Sequence, residues 1–317
     1  MVLNFVFIAI GFLLLIKGAD FMVDGSVALA RRAGVSELFI GLTIVAFGTS
    51  APELAVSVQA ALGKSGIAIG NVLGSNTANV ALVLGFTAIF TTIAISRTTI
   101  KYEIPFVIII TVASVALLIE GDENLTIFKS IVLLCFLVIY FMYLTQMAKG
   151  DKKVKTPIME EHEKSVYDKN ITLAVIATIG GIIAVVFGGR LVVDSGTSIA
   201  KSFGVSEMLI GVTIVAIGTS LPELVTSLVA ARKGKADLAV GNIVGSNILN
   251  LLLILGVTGF ISPVSTDRPI FFDAFFALGV IVLFYILCTK KKKIGTISGI
   301  ILFTTYILYI ILNVLIG

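Results

Sequence analysis

Two glutamates stand directly after prolines, inside apolar stretches of this chain. Glu53 lies in GLTIVAFGTSAPELAVS at 41–57, and Glu223 lies in GVTIVAIGTSLPELVTS at 211–227. A carboxylate at membrane depth costs ~2.5–3.5 kcal/mol even on the mildest insertion scales, so it indicates a functional site by default. Two such carboxylates, at matched positions of a duplicated chain, predict a cation site at the interface of two repeats.

The proline before each glutamate predicts a broken helix. Pro52 has no N–H, so the carbonyl of Gly48 loses its helical partner and is also pushed away by the ring. Carbonyls freed in this way can coordinate cations. Glu53 follows Thr49 by four residues and Ser50 by three, so the three side chains share one helical face. The second copy has Gly218, Thr219, Ser220, Pro222 and Glu223 at the corresponding positions.

A stripe of amide and hydroxyl side chains follows each motif. Its members are spaced four apart and therefore stack on one side of a helix. The stripes are Asn71, Ser75 and Asn79 in the first half, and Asn242, Ser246 and Asn250 in the second. The predicted ligands are carboxylate, amide, hydroxyl and carbonyl oxygens. Such a shell suits hard cations, Ca²⁺ above all among divalent ions, and sodium also accepts oxygen ligands.

Each feature also has a purely structural explanation. A proline in a membrane helix often only kinks it, and Ser, Thr and Asn often only bridge helices. The two glutamates could form a buried hydrogen-bonded pair with neutral carboxyls. The coincidence of all these features, twice and at matching positions, favours the ion site.

The composition predicts an all-α polytopic membrane protein. The 317 residues are 57% hydrophobic and 13% charged, with a mean hydropathy of +1.10, and soluble domains carry about twice that charge fraction. The single histidine, His162, excludes His-based zinc sites and Ser-His triads. Since a helical span needs about 20 apolar residues, we predict ten transmembrane helices at about 2–30, 38–62, 67–93, 104–119, 125–147, 171–199, 208–231, 238–261, 270–288 and 294–315.

The chain contains two copies of an extended repeat. Residues 34–50 match 204–220 at an offset of 170, and 70–85 match 241–256 at an offset of 171. Five spans per half is an odd number, so the second half enters the membrane from the opposite side. This predicts two inverted five-helix repeats with broken helices at the midplane, as in many secondary transporters. The predicted parts are a first repeat at 1–148, a linker at 149–170 and a second repeat at 171–317.

The basic residues predict the orientation. With the N-terminus outside, 17 of the 23 Lys and Arg residues fall on the cytoplasmic side, as the positive-inside rule requires. Both termini are then extracellular and the 149–170 linker is cytoplasmic. The same bias explains the basic pI without nucleic acid. Asp24 and Asp194, which align between the halves, are interpreted as helix-end charges that pair with a nearby Arg or with solvent.

These motifs resemble the α-repeats of the sodium/calcium exchanger family, within the cation/calcium exchanger superfamily. That family carries GTS-x-PE followed by GN-x-x-GSN, and this chain has GTSAPE with GNVLGSN and GTSLPE with GNIVGSN. The match covers both repeats, and the ten-span layout extends it to the whole chain. Proton/calcium relatives usually have a GN-x-x-E element instead of GTS-x-PE, so the resemblance favours sodium coupling.

The resemblance implies four adjoining cation sites. Ca²⁺ would bind Glu53 and Glu223 with help from the carbonyls of Thr49 and Thr219. Sodium would use the two glutamates together with Ala46, Ser50, Ser75, Ala216, Ser220 and Ser246. Asn79 and Asn250 would line the centre. Many relatives carry an aspartate at one or both of these last positions, and the two amides of this chain remove a possible proton acceptor. The resemblance further implies that spans one and six slide against the other eight.

The resulting expectation is an electrogenic antiporter that exchanges Na⁺ for Ca²⁺ in the cell membrane, not an enzyme. It would lie in the lipid bilayer and would need no cofactor, no nucleic acid and no oligomeric partner. A Ca²⁺/H⁺ antiporter that uses the two glutamates as proton acceptors is the alternative. A cation channel is disfavoured because its symmetry usually runs about the membrane normal. A hydrolase with Ser50 or Ser220 as nucleophile is disfavoured because no His or Lys lies near either serine in the motif.

Overall fold

A computed structural model describes residues 1–63, 67–119, 125–153, 165–205, 214, 216–264 and 270–316. Within these residues, eight helices are long and apolar enough to cross a membrane, and a bent helix pair raises this to nine. The helices and strands are α1 Val2–Ala33, α2 Glu37–Ile40, α3 Ala46–Thr49, α4 Ala51–Leu62, α5 Ile67–Ala78, α6 Gly85–Phe90, β1 Ile93–Ala94, α7 Ile104–Ile119, α8 Ile127–Lys153, α9 Val166–Lys169, α10 Ile171–Ser202, α11 Ala216–Thr219, α12 Leu221–Arg232, α13 Ala236–Leu249, α14 Leu255–Ile261, α15 Phe271–Lys291, β2 Lys293–Ile294 and α16 Thr296–Ile316. Among the described residues, π-helical turns span Gly41–Val45, Asn79–Leu84, Thr99–Glu103 and Asn250–Ile254.

The first predicted break is present. We call α2 to α4, with their π turn, the first broken helix. Its two parts, Glu37–Thr49 and Ala51–Leu62, meet at an angle of 47°. The junction is Ser50, with φ −83° and ψ 6°. Ser220 joins α11 to α12, the second broken helix, in nearly the same conformation, with φ −88° and ψ 2°. A proline just after each junction makes continuation of a straight helix unfavourable.

Two spans lie at the centre of the molecule. We call 67–90 the first striped helix and 236–261 the second striped helix, after the amide and hydroxyl stripes that they carry. In their most apolar windows, 83% and 94% of the residues are buried. In α1 and α10 the corresponding shares are only 22% and 28%. The striped helices therefore form the core, and α1 and α10 lie at the periphery.

The helices α1 and α10 contact each other through their backbones. An added Cβ on Gly181 would come within 2.5 Å of the Gly18 carbonyl oxygen, and one on Gly11 within 2.8 Å of the Gly188 carbonyl oxygen. Glycines at such contacts let membrane helices approach closely. The two long helices form one tightly packed pair.

Corresponding loops of the two halves pair in corresponding ways. Ile93 of β1 pairs with Ile294 of β2 in antiparallel register, and Leu125 forms an antiparallel bridge with Val264. Val264 follows Ile93 by 171 positions, and Ile294 follows Leu125 by 169. The second pair is therefore the counterpart of the first, with the roles of the halves exchanged.

The predicted boundaries differ from the observed ones by several residues at some helices. The fourth predicted span, 104–119, starts earlier, because the π turn at Thr99–Glu103 leads into α7. The first helix continues to Ala33, where Gly34 in the left-handed conformation ends it. The helix α8 continues to Lys153, so the first residues of the predicted 149–170 linker are helical. Residues 154–164 of that linker lie outside the described residues.

Candidate functional site

The two motif glutamates are buried and lie near each other. Each occupies the first turn of the helix that follows a break, Glu53 in α4 and Glu223 in α12. Their side chains are 1% and 0% exposed, and the two carboxylates lie close enough to interact electrostatically. Two buried like charges repel each other unless a cation or protons lie between them. This pair is therefore suited to hold a cation.

Hydroxyl groups from both halves lie next to the glutamate of the second half. The Oγ atom of Ser50 donates a hydrogen bond to Oε1 of Glu223 over 3.3 Å. The hydroxyls of Thr49 and Ser246 also lie next to this carboxylate. The site is therefore shared between the halves, as the matched motifs predict.

Several buried oxygen atoms of this region have no hydrogen-bond partner among the described residues. Buried polar atoms are nearly always satisfied, so a cluster of unsatisfied oxygens indicates a place for a ligand that binds oxygen. The oxygens are Oε1 and Oε2 of Glu53, Oε2 of Glu223, Oγ of Ser220, Oδ1 of Asn79 and Oδ1 of Asn250. Within the part of the chain that the structure describes, no three His, Cys, Asp or Glu side chains form a metal cluster. A cation here would thus bind two carboxylates and complete its shell with neutral oxygens.

The first asparagine of each stripe, Asn71 or Asn242, connects its striped helix to a broken helix. Asn242 donates to the Ser227 hydroxyl over 3.1 Å, and Asn71 donates to the Ser57 hydroxyl over the same distance. Thr49 donates to Oδ1 of Asn242 over 3.0 Å. This last bond fixes the Thr49 side chain against the second striped helix.

The remaining predicted residues lie on the same elements. Ala46 and Ser75 are buried on the first broken and first striped helices, and Thr219 is half-buried on α11. The helix α3 packs against α13, and α11 packs against α5, so each broken helix contacts the striped helix of the other half. Ala216 begins α11, and its side chain lies outside the described residues.

Sequence reasoning did not single out the asparagines of the two GSN elements. Asn76 donates to the backbone carbonyl of Asn247 over 3.2 Å, and Asn247 donates to that of Asn76 over 3.4 Å. These reciprocal bonds join the striped helices where they cross. The exact repetition of GSN in both halves was the signal that could have found them.

Two further buried acids also escaped the sequence analysis. Glu103 accepts a hydrogen bond from the Tyr143 hydroxyl, and Asp273 accepts one from the Tyr309 hydroxyl over 2.8 Å. Both acids are 2% exposed. They are 170 positions apart, the offset of the first motif, which was the available signal.

Asp24 lies outside the ion site, as interpreted. Lys233, just after α12, bonds Asp24 over 2.8 Å and Asp20 over 3.1 Å. Partial burial lowers the pKa of the Lys233 ammonium, but hydrogen bonds to Asp24 and Asp20 outweigh it and raise this pKa above its ordinary value. The partner is thus a lysine, where an arginine or solvent was expected. Asp194 is exposed.

Comparison with known proteins decides the family. A family model described as "Sodium/calcium exchanger protein" matches residues 3–146 and 173–315. The chain belongs to the sodium/calcium exchanger family. It is 31% identical to the sodium/calcium exchanger MaX1 of Methanosarcina acetivorans over 97% of both chains. It is 32% identical to the inner membrane protein YrbG of Escherichia coli over 92% of this chain and 90% of that protein.

A solved structure of the sodium-calcium exchanger NCX_Mj has the same fold. The TM-score is 0.82 at 31% identity, and the match covers 98% of both chains. This exchanger-family chain is therefore a multi-pass membrane protein of the cation/calcium exchange class, as its sequence predicts.

Proposed function

We propose that this protein is a secondary active antiporter that exchanges Na⁺ for Ca²⁺ across the cell membrane. The main support for the proposal is the neighbouring pair of Glu53 and Glu223. Both carboxylates are buried at helix breaks, and three of their four oxygens have no partner among the described residues. Buried carboxylates with free oxygens are suited to a partly dehydrated cation.

The ligand roles follow the chemistry of the two ions. Ca²⁺ takes the two carboxylates and the backbone carbonyls of Thr49 and Thr219. Na⁺ takes the same carboxylates in turn with hydroxyl and carbonyl oxygens, and Asn79 and Asn250 line the centre. The proposed sodium ligands besides the glutamates are Ala46, Ser50, Ser75, Ala216, Ser220 and Ser246. The site binds one kind of ion at a time, because both kinds need the same two charges.

The proposed architecture is ten spans in two inverted repeats, 1–148 and 171–317, joined by a cytoplasmic linker at 149–170. Both termini are extracellular. The exchanged loop pairing and the matching breaks at Ser50 and Ser220 support this arrangement. In the transport cycle, the packed pair α1 and α10 slides against the core and exposes the site to one side at a time.

Exchange of three Na⁺ for one Ca²⁺ makes the cycle electrogenic. Two carboxylates balance one Ca²⁺ or two Na⁺, and a third Na⁺ leaves the loaded site with one positive charge. One net charge per cycle at 100 mV corresponds to ~2.3 kcal/mol. With amides at both positions 79 and 250, the central positions supply no further carboxylate to take up a proton.

Flux in proteoliposomes tests the proposal. Uptake of ⁴⁵Ca²⁺ should follow an imposed sodium gradient, persist with a protonophore, and change rate with an imposed membrane potential. Uptake that follows a pH gradient without sodium, and that stops with the protonophore, would show the alternative Ca²⁺/H⁺ antiporter.

A further inference from the structure

One backbone carbonyl next to the ion site is displaced from helical hydrogen bonding. In an α-helix the N–H of Ala46 would bond the carbonyl of Leu42, four residues earlier. Because Gly41–Val45 forms a π turn, that N–H instead bonds the carbonyls of Gly41 and Thr43. The Leu42 carbonyl thereby loses its α-helical donor, and a buried carbonyl without a donor is costly.

Tyr140 supplies the donor from a different helix. Its hydroxyl, on α8, donates a hydrogen bond to the Leu42 carbonyl oxygen over 3.0 Å. The side chain is 1% exposed, and its ring stacks on Phe106 of α7 with centroids 5.8 Å apart. Packing against α7 thus holds the tyrosine ring in place, and its hydroxyl fixes the π turn.

Close contact with Gly245 of α13 also holds this π turn. An added Cβ on Gly245 would come within 2.9 Å of the Leu42 carbonyl oxygen and 2.8 Å of the Ala46 Cβ. The π turn of the first broken helix is therefore in contact with both α13 and the Tyr140 hydroxyl. Ala46 follows the turn directly and precedes Ser50 by one helical turn.

We propose that Tyr140 is a positioning residue for sodium binding, because its hydroxyl holds the π turn that places the Ala46 carbonyl and the Ser50 hydroxyl. The inference rests on the proposed function and extends it to a residue on α8. Sodium sites built from neutral carbonyl and hydroxyl oxygens depend on where those dipoles point. Calcium binding depends chiefly on the two carboxylates, which follow the breaks at Ser50 and Ser220.

The test is Tyr140→Phe, which removes one oxygen atom and keeps the buried ring. Calcium exchange is measured in proteoliposomes against sodium concentration at fixed calcium, and against calcium concentration at fixed sodium. We expect the half-saturating sodium concentration to rise about three- to ten-fold, the scale of one lost buried hydrogen bond. The half-saturating calcium concentration should change less than about two-fold.

Tyr306→Phe is the matched control. Tyr306 is also a buried tyrosine, 2% exposed, on the last helix α16, and its hydroxyl makes no hydrogen bond to the described parts of either broken helix. We expect both half-saturating concentrations to stay at the parent values in this variant. Shifts in melting temperature with added Na⁺ or Ca²⁺ provide a second readout on purified protein.

Each outcome decides the inference. Equal shifts for the two ions in Tyr140→Phe, or loss of its folded state, would mean that the hydroxyl acts on the fold alone, and would overturn it. Unchanged sodium dependence would overturn it as well. Absence of sodium-driven calcium flux in the parent protein would contradict the proposed function itself, and with it the sodium role of Tyr140.

Discussion

The side-chain amide of Asn250 donates a hydrogen bond to Oδ1 of Asn76 over 3.0 Å, across the crossing of the two striped helices. Its counterpart Asn79 has no partner for either side-chain atom among the described residues. The two central amides are therefore equivalent in the sequence and different in the structure. Asn250 serves as a helix contact with its nitrogen and leaves only its oxygen to the centre.

This difference predicts unequal effects of the same substitution. In Asn250→Asp an ionised carboxylate cannot donate, so two acceptor oxygens would face each other at the Asn76 contact. Asn79→Asp loses no such bond. In cation-free buffer we expect Asn250→Asp to lose ~1–3 kcal/mol more unfolding free energy than Asn79→Asp, the cost of an unmade buried hydrogen bond. Thermal unfolding of both variants measures this, and equal melting temperatures would contradict the assigned contact.

The carboxylate pair predicts a loss of transport without a loss of fold. Glu53→Gln and Glu223→Gln each remove one of the two charges that balance Ca²⁺, and calcium flux should fall to the background of empty liposomes. Glu37→Gln is the control, because Glu37 lies on the same broken helix but bonds Lys235 over 2.8 Å instead of facing the site. Normal sodium-driven flux in either site variant would refute the assignment.

The ion pairs of Lys233 predict a pH-dependent contribution to stability. Because the pKa of Lys233 is raised above its ordinary value of 10.5, its ion pairs stabilise the fold below that pH as long as Asp20 and Asp24 are ionised. The contribution is lost as the pH rises through the raised pKa. Since the side chain is 30% exposed, Lys233→Met should lower the free energy of unfolding by no more than ~1 kcal/mol.

Lys235→Met provides the comparison for Lys233→Met. Within the described part of the chain, Lys235 forms an ion pair with Glu37 alone, whereas Lys233 bonds two aspartates and the backbone carbonyl of Asp20. We therefore expect the smaller loss for Lys235→Met. The difference between Lys233→Met and the parent should be constant from about pH 6 to 9 and decrease as the pH rises through the raised pKa of Lys233. A difference that grows with alkaline pH would contradict the ion pairs.

The predicted orientation is tested by labelling from outside. In a background with Cys135→Ser and Cys288→Ser, a cysteine at position 155 of the linker should be shielded from impermeant thiol reagents on intact cells. A cysteine at position 201, at the end of α10, should react. Reaction at 155 and protection at 201 would reverse the topology.

The sequence by itself determined the family, the membrane class and the two breaks. These features are local or repeated: a proline prevents a helix from continuing straight through it, a stripe of period four lies on one face, and a duplicated motif recurs at a fixed offset. The break at Ser50 and the burial of both glutamates could be predicted for this reason, and both are present in the structure.

Only the tertiary structure decided which polar atoms are hydrogen-bonded within the protein and which remain for an ion. The bonds from Asn250 to Asn76, from Tyr140 to the Leu42 carbonyl and from Lys233 to Asp24 join residues that are 174, 98 and 209 positions apart. No local pattern specifies such partners, because they depend on how closely the backbones approach at Gly245 and at the striped-helix crossing. The unsatisfied oxygens that form the candidate cation site are therefore those that remain after the packing has satisfied the others.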